Sequence, residues 1–270
     1  MLKLNNQQIK NQEQKEGGNK MEILYNDFNL SSIGRVLEVQ RPLMPTPALT
    51  TGSIPGKDGS ILYYKQFSSI NILVKLLITT KDVQELRQKI RLLSSKINYN
   101  EPKKLIFNDE PDKYINAIIS DGISLEEIAS YGKCTLDFLC TDPYWYAVDD
   151  DIITIFKKGQ TIFNRQGTAI SYPIIEVYGA SNNNGSFIIS NEETTVTFTG
   201  ELKLNEKLIL DSDLMTAYIL TSNNEKISVI QNLDLLDFIT LNNGENKINI
   251  NTLNGASLTK VIIKCKSRWL

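Results

Sequence analysis

Two stretches of the chain alternate apolar and polar residues with the period of a half-buried strand. In the first, Ile70, Ile72, Val74, Leu76 and Ile78 share one face and Asn71 and Lys75 take the other. In the second, Cys134, Leu136, Phe138 and Cys140 point one way, and Thr135, Asp137 and Leu139 the other. Asp142-Pro143 stops this strand, because proline has no N–H for a ladder and biases its predecessor away from helix. The strand closes one domain and exits into another.

Between them lies one helical pattern, Thr79 to Ile97. Val83, Leu86, Ile90, Leu93 and Ile97 recur at spacings of three and four, which predicts an apolar stripe packed on a sheet. Thr79 or Thr80 is the expected N-cap, with Asp82 and Glu85 in the first turn. Earlier, Arg35 to Gln40 reads as a short strand. Pro42, Pro45 and Pro47 then predict an extended loop without ladder bonds. Ile54-Pro55-Gly56-Lys57-Asp58-Gly59 carries a tight-turn signal, and Ile61 to Ile78 holds one or two strands. Lys104 to Phe107 and Tyr114 to Ile119 read as a hairpin around an acidic turn, and Asp121-Gly122 opens another loop. The sum is an α+β domain.

Beyond Asp151 the texture changes. Short β runs recur at intervals of about 8–12 residues: Ile152–Phe156, Pro173–Tyr178, Ser186–Ser190, Thr194–Thr199, Lys207–Leu210, Ala217–Thr221, Ile227–Ile230, Phe238–Leu241, Lys247–Ile250 and Thr259–Lys266. Asn- and Gly-rich turns separate them. That spacing predicts an all-β sandwich or jelly roll. The expected organisation is an N-terminal arm (1–20, Gln-, Asn- and Lys-rich and expected to be disordered), an α+β domain (21–147) and a β-sandwich (148–270).

Composition narrows the chemistry. The chain has 270 residues and no histidine, which removes Ser-His-Asp and Cys-His pairs and His-ligated metals. Its three cysteines (Cys134, Cys140, Cys265) show no metal spacing and read as small buried hydrophobes. The formal charge is −2; Lys3, Lys10, Lys15 and Lys20 against Glu13 and Glu16 leave −4 on residues 21–270. A nucleic-acid binder held by phosphate contacts needs a basic balance instead. No apolar run reaches the ~20 residues of a membrane span, and no signal-peptide core is present, so synthesis and folding in a cytoplasm are expected.

Paired carboxylates survive the lack of histidine: Asp149–Asp151, Asp211/Asp213, Asp234/Asp237 and Glu126/Glu127. Each sits at a strand end or loop, where acids serve local hydrogen bonding. The turn Asn108-Asp109-Glu110-Pro111-Asp112 offers oxygens to a hard cation but lacks an EF-hand spacing. No P-loop, GxGxxG or GxSxG occurs. Tyr144, Trp145 and Tyr146 are the candidate interface residues: they could stack sugars, but their place in the chain suits packing at a joint between domains. Trp269 reads as an anchor for the last strand. Neither a catalytic residue, a metal nor a cofactor is expected.

The order of these pieces resembles the distal tail proteins of long non-contractile-tailed bacteriophages. The resemblance rests on "PGKDG" (55–59), the long alternating strand, the helix, "FNDEPDKYINAI" (107–118) and "LDFLCTDPYWYA" (136–147). In the second half it continues through "FNRQGTAISYPIIEVYG" (163–179), "LILD" (208–211), "LNNGENKINI" (241–250) and "KSRWL" (266–270). It spans about residues 21–270. It implies a structural protein and not an enzyme. The implied fold is mainly β with one helix: an N-terminal α+β tail-tube-like domain that builds a hexameric ring, then a galectin-like β-sandwich that projects outward. The implied partners are the protein itself, the tail tube protein above, and a tail-associated lysin or fibre and receptor-binding proteins below. DNA is expected to pass through the lumen without sequence-specific binding, and no membrane insertion is implied. The implied location is the distal end of the virion tail. Ile70–Ile78 is expected to line the ring sheet. The alternative reading is a carbohydrate-binding module that contacts host cell-wall polysaccharide.

Overall fold

The computed structural model describes residues 21–120, 124–128 and 130–270. The N-terminal arm and the loop opened by Asp121-Gly122 lie outside the described residues. The chain divides between Pro143 and Tyr144 into two units. Tyr144–Ala147, grouped with the first domain in the sequence reading, therefore goes with the second unit.

In the first unit, β1 (Ile23–Tyr25), β2 (Phe28–Asn29) and β3 (Arg35–Gln40) are followed by β4 (Pro47–Gly52), β5 (Ile61–Phe67) and β6 (Ile70–Thr79). Helix α1 (Val83–Ile97) leads to β7 (Lys103–Phe107), β8 (Lys113–Ile119), β9 (Ser124–Ile128) and β10 (Tyr131–Cys140). The main sheet runs β2-β1-β7-β8-β10-β6-β3, with β9 also on β10. The two alternating stretches of the sequence pair with each other over their whole length: Leu76 faces Cys134, Val74 faces Leu136, Ile72 faces Phe138 and Ile70 faces Cys140. Opposed residues share a face, so both apolar rows fall on one side of the sheet and are buried. Helix α1 packs on β6 through Leu86, Leu93 and Ile97, whereas Val83 is left exposed. The ring of Tyr25 meets Phe138 edge-on at 5.0 Å and its hydroxyl donates to the Ala117 carbonyl.

Two local expectations change. The N-cap of α1 is Asp82, whose carboxylate accepts the Glu85 N–H at 2.8 Å; Thr79 still belongs to β6, opposite Tyr131. Pro47 does not stay in a loop but opens β4, where β4 and β5 form a two-stranded sheet of their own. A proline is tolerated at a strand's first residue.

The second unit contains β11 (Trp145–Ala147), β12 (Asp151–Ile155), β13 (Gly159–Arg165), β14 (Ile174–Ala180), β15 (Ser186–Ser190) and β16 (Thr195–Thr199). It continues with β17 (Lys207–Asp211), β18 (Thr216–Leu220), β19 (Lys226–Ser228), β20 (Gly244–Leu253), β21 (Ser257–Cys265) and β22 (Arg268–Trp269). A six-stranded sheet, β12-β21-β14-β17-β18-β19, faces a four-stranded one, β13-β20-β15-β16. One core lies between them, with Ile175, Val177, Leu208, Val261 and Ile263 from the first and Phe187, Phe198, Ile248 and Ile250 from the second. Asn254 and Gly255 both adopt positive φ (51° and 81°), the geometry a two-residue hairpin requires between β20 and β21.

The run Phe238–Leu241, expected as a strand, is not one. It makes a single bridge from Leu241 to Ser171, yet Phe238, Ile239 and Leu241 are buried. A short apolar run fits a buried plug as well as a buried strand. Conversely, β13 has no counterpart among the expected strands. It is an edge strand with Ile162 exposed, and its Gln160 and Asn164 mask the pattern. The three cysteines are buried and free, and burial pushes their thiols up to about 11 (Cys134) and about 12 (Cys140 and Cys265). They behave as small core residues. No helix among the described residues is long and apolar enough to cross a membrane.

Candidate assembly surface

The β4–β5 hairpin is the most exposed apolar feature of the first unit. Leu49, Ile54, Ile61, Leu62, Tyr63 and Tyr64 are all exposed, Tyr63 by 66%. Just before the hairpin Leu43 is 96% exposed, beside Met44. A two-stranded hairpin is marginal in water by itself, and a run of exposed apolar side chains along it marks an interaction surface. Locally it is held by pairing from Pro47–Phe67 to Gly52–Ile61, by a bulge at Thr50/Thr51, and by the Lys65 ammonium 4.8 Å from the Phe67 ring centre. Gly52 allows the Tyr63 ring to lie across the hairpin; a Cβ there would sit 2.5 Å from the Tyr63 hydroxyl.

The segment leading into the hairpin is anchored at its start. Arg41 stacks on Phe107 at 4.7 Å and pairs with Asp109, while Lys113 pairs with Glu110 at 2.9 Å and Asp112 at 3.4 Å. The Arg41 hydrogen bond holds the Asp109 carboxyl below its ordinary range, and the Glu110 hydrogen bond raises Lys113. Each carboxylate of the acidic turn is thus paired with a cation of the chain itself, two cations serving three acids.

Strand β3 ends the main sheet. A bulge between Val36 and Glu38 takes Leu37 out of register, and Leu37 is exposed. An open sheet edge beside exposed apolar groups is a template for pairing with another chain. The Ile70–Ile78 row, in contrast, is buried inside the first unit's own core.

Tyr144, Trp145 and Tyr146 lie half-buried in the second unit. Strand β11 pairs with β22, Trp145 opposite Trp269 and Tyr146 opposite Arg268. The Arg268 guanidinium sits 4.3 Å from the Tyr144 ring centre and 4.8 Å from that of Tyr172. Trp269 is an anchor of the last strand, and the three aromatics are its counterpart.

The candidate carboxylates do not converge: Asp211 serves its own turn, Asp150 and Asp151 meet the segment after β21, and Glu126 and Glu127 lie within a strand and not at its end. Asp211 accepts the N–H groups of Asp213 and Leu214, Asp151 accepts the Ser267 hydroxyl, and Asp150 lies 3.8 Å from Lys266. Glu126 and Glu127 are on β9, and Asp234 and Asp237 are in the segment before the Phe238–Leu241 plug. Among the described residues no group of three potential metal ligands assembles. A recess of about 80 Å³ lined by Asn191, Glu193, Asn242 and Lys247 is well under the ~300 Å³ of a small-molecule site.

Sequence reasoning passed over Arg165. It is buried at the end of β13 and donates to the carbonyls of Asn242 (3.1 Å), Gln166 (2.9 Å), Leu241 (3.3 Å) and Ala169. Burial lowers its pKa. A polar residue ending an unrecognised edge strand leaves no periodic signal.

Residues 26–140 match the model of the phage tail protein RIFT-related domain. The distal tail protein of Bacillus phage SPP1 is 21% identical over 178 residues, 65% of this chain and 70% of that protein. The solved structure of the SPP1 Dit protein, described as a paradigm of the hub adsorption apparatus in phages infecting Gram-positive bacteria, superposes with a TM-score of 0.76 at 16% identity. It covers 93% of this chain and 99% of that one. A chain of the phage p2 baseplate, in its activated conformation with Ca, aligns with a TM-score of 0.51 at 10% identity, over 92% of this chain and 97% of that one. These findings bear out the resemblance to the distal tail proteins and the mainly β fold with one helix.

Proposed function

We propose that this protein is the structural hub at the distal end of a phage tail, built as a hexameric ring of identical subunits. The observation that carries this reading is the shared fold over both units, in order, with a hub protein: 93% of this chain against 99% of the SPP1 Dit protein. Its relatives are distal tail and baseplate proteins, and the same place in the virion follows for this chain.

A closed ring of identical copies needs a heterologous interface, one patch meeting a different patch on the next copy. The β4–β5 hairpin and the open edge of β3 are two such patches on one chain. Docking the first along the second covers the exposed apolar groups and the sheet edge together. The ring joins the tail tube protein on one side to a lysin, fibre or receptor-binding protein on the other, and leaves a lumen for DNA. An acidic lining would repel phosphates, and the net negative charge of residues 21–270 permits such a lining without locating it. The role is mechanical, with no catalytic step and no cofactor.

The test is multi-angle light scattering with negative-stain imaging on the purified protein at tens of micromolar. Six-fold rings are expected. A strictly monomeric protein without rings would falsify the reading.

A further inference from the structure

The outer face of the six-stranded sheet carries a straight row across five strands: Lys260 on β21, Tyr178 on β14, Lys207 on β17, Leu220 on β18 and Lys226 on β19. Neighbouring strands lie ~4.8 Å apart, so the three lysines are rooted at intervals of about 10 Å along a line. Aromatic rings hold the ammonium groups. Lys260 sits 4.6 Å and Lys207 5.7 Å from the Tyr178 ring centre, and Lys226 sits 4.8 Å from that of Tyr218. A fourth lysine, Lys264, stands opposite Ile174, two rows away, with Glu176 and Ile262 between.

The negative charge at the centre of this face is already used. Glu176 is buried (5% exposed) and accepts from Lys264 at 2.7 Å, Lys207 at 3.1 Å and the Tyr178 hydroxyl at 2.7 Å. Its neighbour Asp211 is committed to the N–H groups of its own turn, and Glu206 accepts the Lys203 N–H. Among the described residues, no carboxylate is within ion-pair distance of Lys226 or Lys260. Four ammonium groups against two buried carboxylates, Glu176 and Asp211, leave this face basic on a chain of formal charge −2.

We infer that this face binds an anionic phosphodiester polymer of the polyol-phosphate kind found in a cell envelope. Lysine is a compact point charge suited to phosphate oxygens, whereas the bidentate recognition of carboxylates favours arginine, and the row has none. A line of evenly spaced cations suits a flexible repeating polyanion more than a single small anion. Nucleic acid offers the same phosphodiesters, but binding to single strands relies on open aromatic faces for base stacking, and lysines occupy the Tyr178 and Tyr218 faces. The choice of an envelope polymer rests on the tail-tip reading above; the basic face itself does not.

The test is calorimetric titration of the full-length protein with poly(glycerol phosphate) chains, with single-stranded DNA of equal phosphate number and neutral dextran as parallel arms. The polyol phosphate is expected to bind with an affinity that falls as salt rises, and dextran not to bind. The double variant Lys226→Gln with Lys260→Gln removes two cations outside the Glu176 cluster. It should lose about tenfold in affinity and flatten the salt dependence, with an unchanged melting temperature. Absence of binding by the natural protein, equal binding by the variant, or tighter binding of DNA than of the polyol phosphate each overturns the inference. Light scattering on the same samples reads the oligomeric state separately. A monomer that still binds the polymer would sink the ring and leave this face standing.

Discussion

Trp145 stands directly opposite Trp269 in the β11–β22 pair, so the first strand of the second unit holds down the last. Arg268, clasped between Tyr144 and Tyr172, reinforces the closure. Trp145→Ala should therefore loosen the C-terminal strand and destabilise the second unit by about 1–2 kcal/mol. Hydrogen exchange should show faster exchange of the β22 amides. The oligomer should survive, as read by light scattering; its loss would place these aromatics in the ring interface.

The hairpin prediction runs the other way. Leu62→Asp with Tyr64→Asp changes two exposed side chains of β5, so folding stability should stay within about 0.5 kcal/mol of the parent. Assembly should be abolished, because charge on a desolvated contact is costly. Circular dichroism melts and light scattering together check the pair of outcomes. Rings that persist would show that the hairpin lies outside the interface.

Arg165 ties the Gln166–Ala169 loop to Leu241 and Asn242 through backbone carbonyls. Arg165→Ala leaves those acceptors without their donor and should cost about 3 kcal/mol in urea unfolding. Arg165→Lys should recover little of it, since a single ammonium cannot reproduce the guanidinium fork.

Glu176 sets an acid limit. Burial by itself raises its pKa, but hydrogen bonds from Lys264, Tyr178 and Lys207 outweigh that and hold it at about 2, below the ordinary 4.5. A carboxyl depressed in the folded state stabilises the protein fully above its unfolded pKa and loses that contribution as pH falls toward the folded value. Melting temperature should drop between about pH 4.5 and pH 2. Glu176→Gln should flatten that part of the curve. An identical acid limb in the variant would assign the loss to other carboxylates.

The most legible parts of the chain were those where one periodicity ran long. The Ile70–Ile78 and Cys134–Cys140 rows, the α1 stripe and most strands of the sandwich stand close to where their patterns put them. Ends and exceptions were harder. The N-cap moved to Asp82 because β6 runs on through Thr79, a pairing with Tyr131 that no local signal shows. The hairpin surface was hidden for another reason. Ile61, Leu62, Tyr63 and Tyr64 are apolar in sequence, and whether such a run faces a core or solvent depends on what packs over it.

The sequence alone determined the fold class, the two-part organisation and the exclusion of histidine chemistry, because these follow from composition and short-range period. It also carried the family resemblance through the order of its motifs. Only the tertiary structure decided which surfaces stay uncovered and which distant residues meet. The pairing of Trp145 with Trp269, the four carbonyls around Arg165 and the lysine row across five strands are all products of strand order. Strand order is set by long-range pairing, and residues far apart in the chain share no local pattern that announces it.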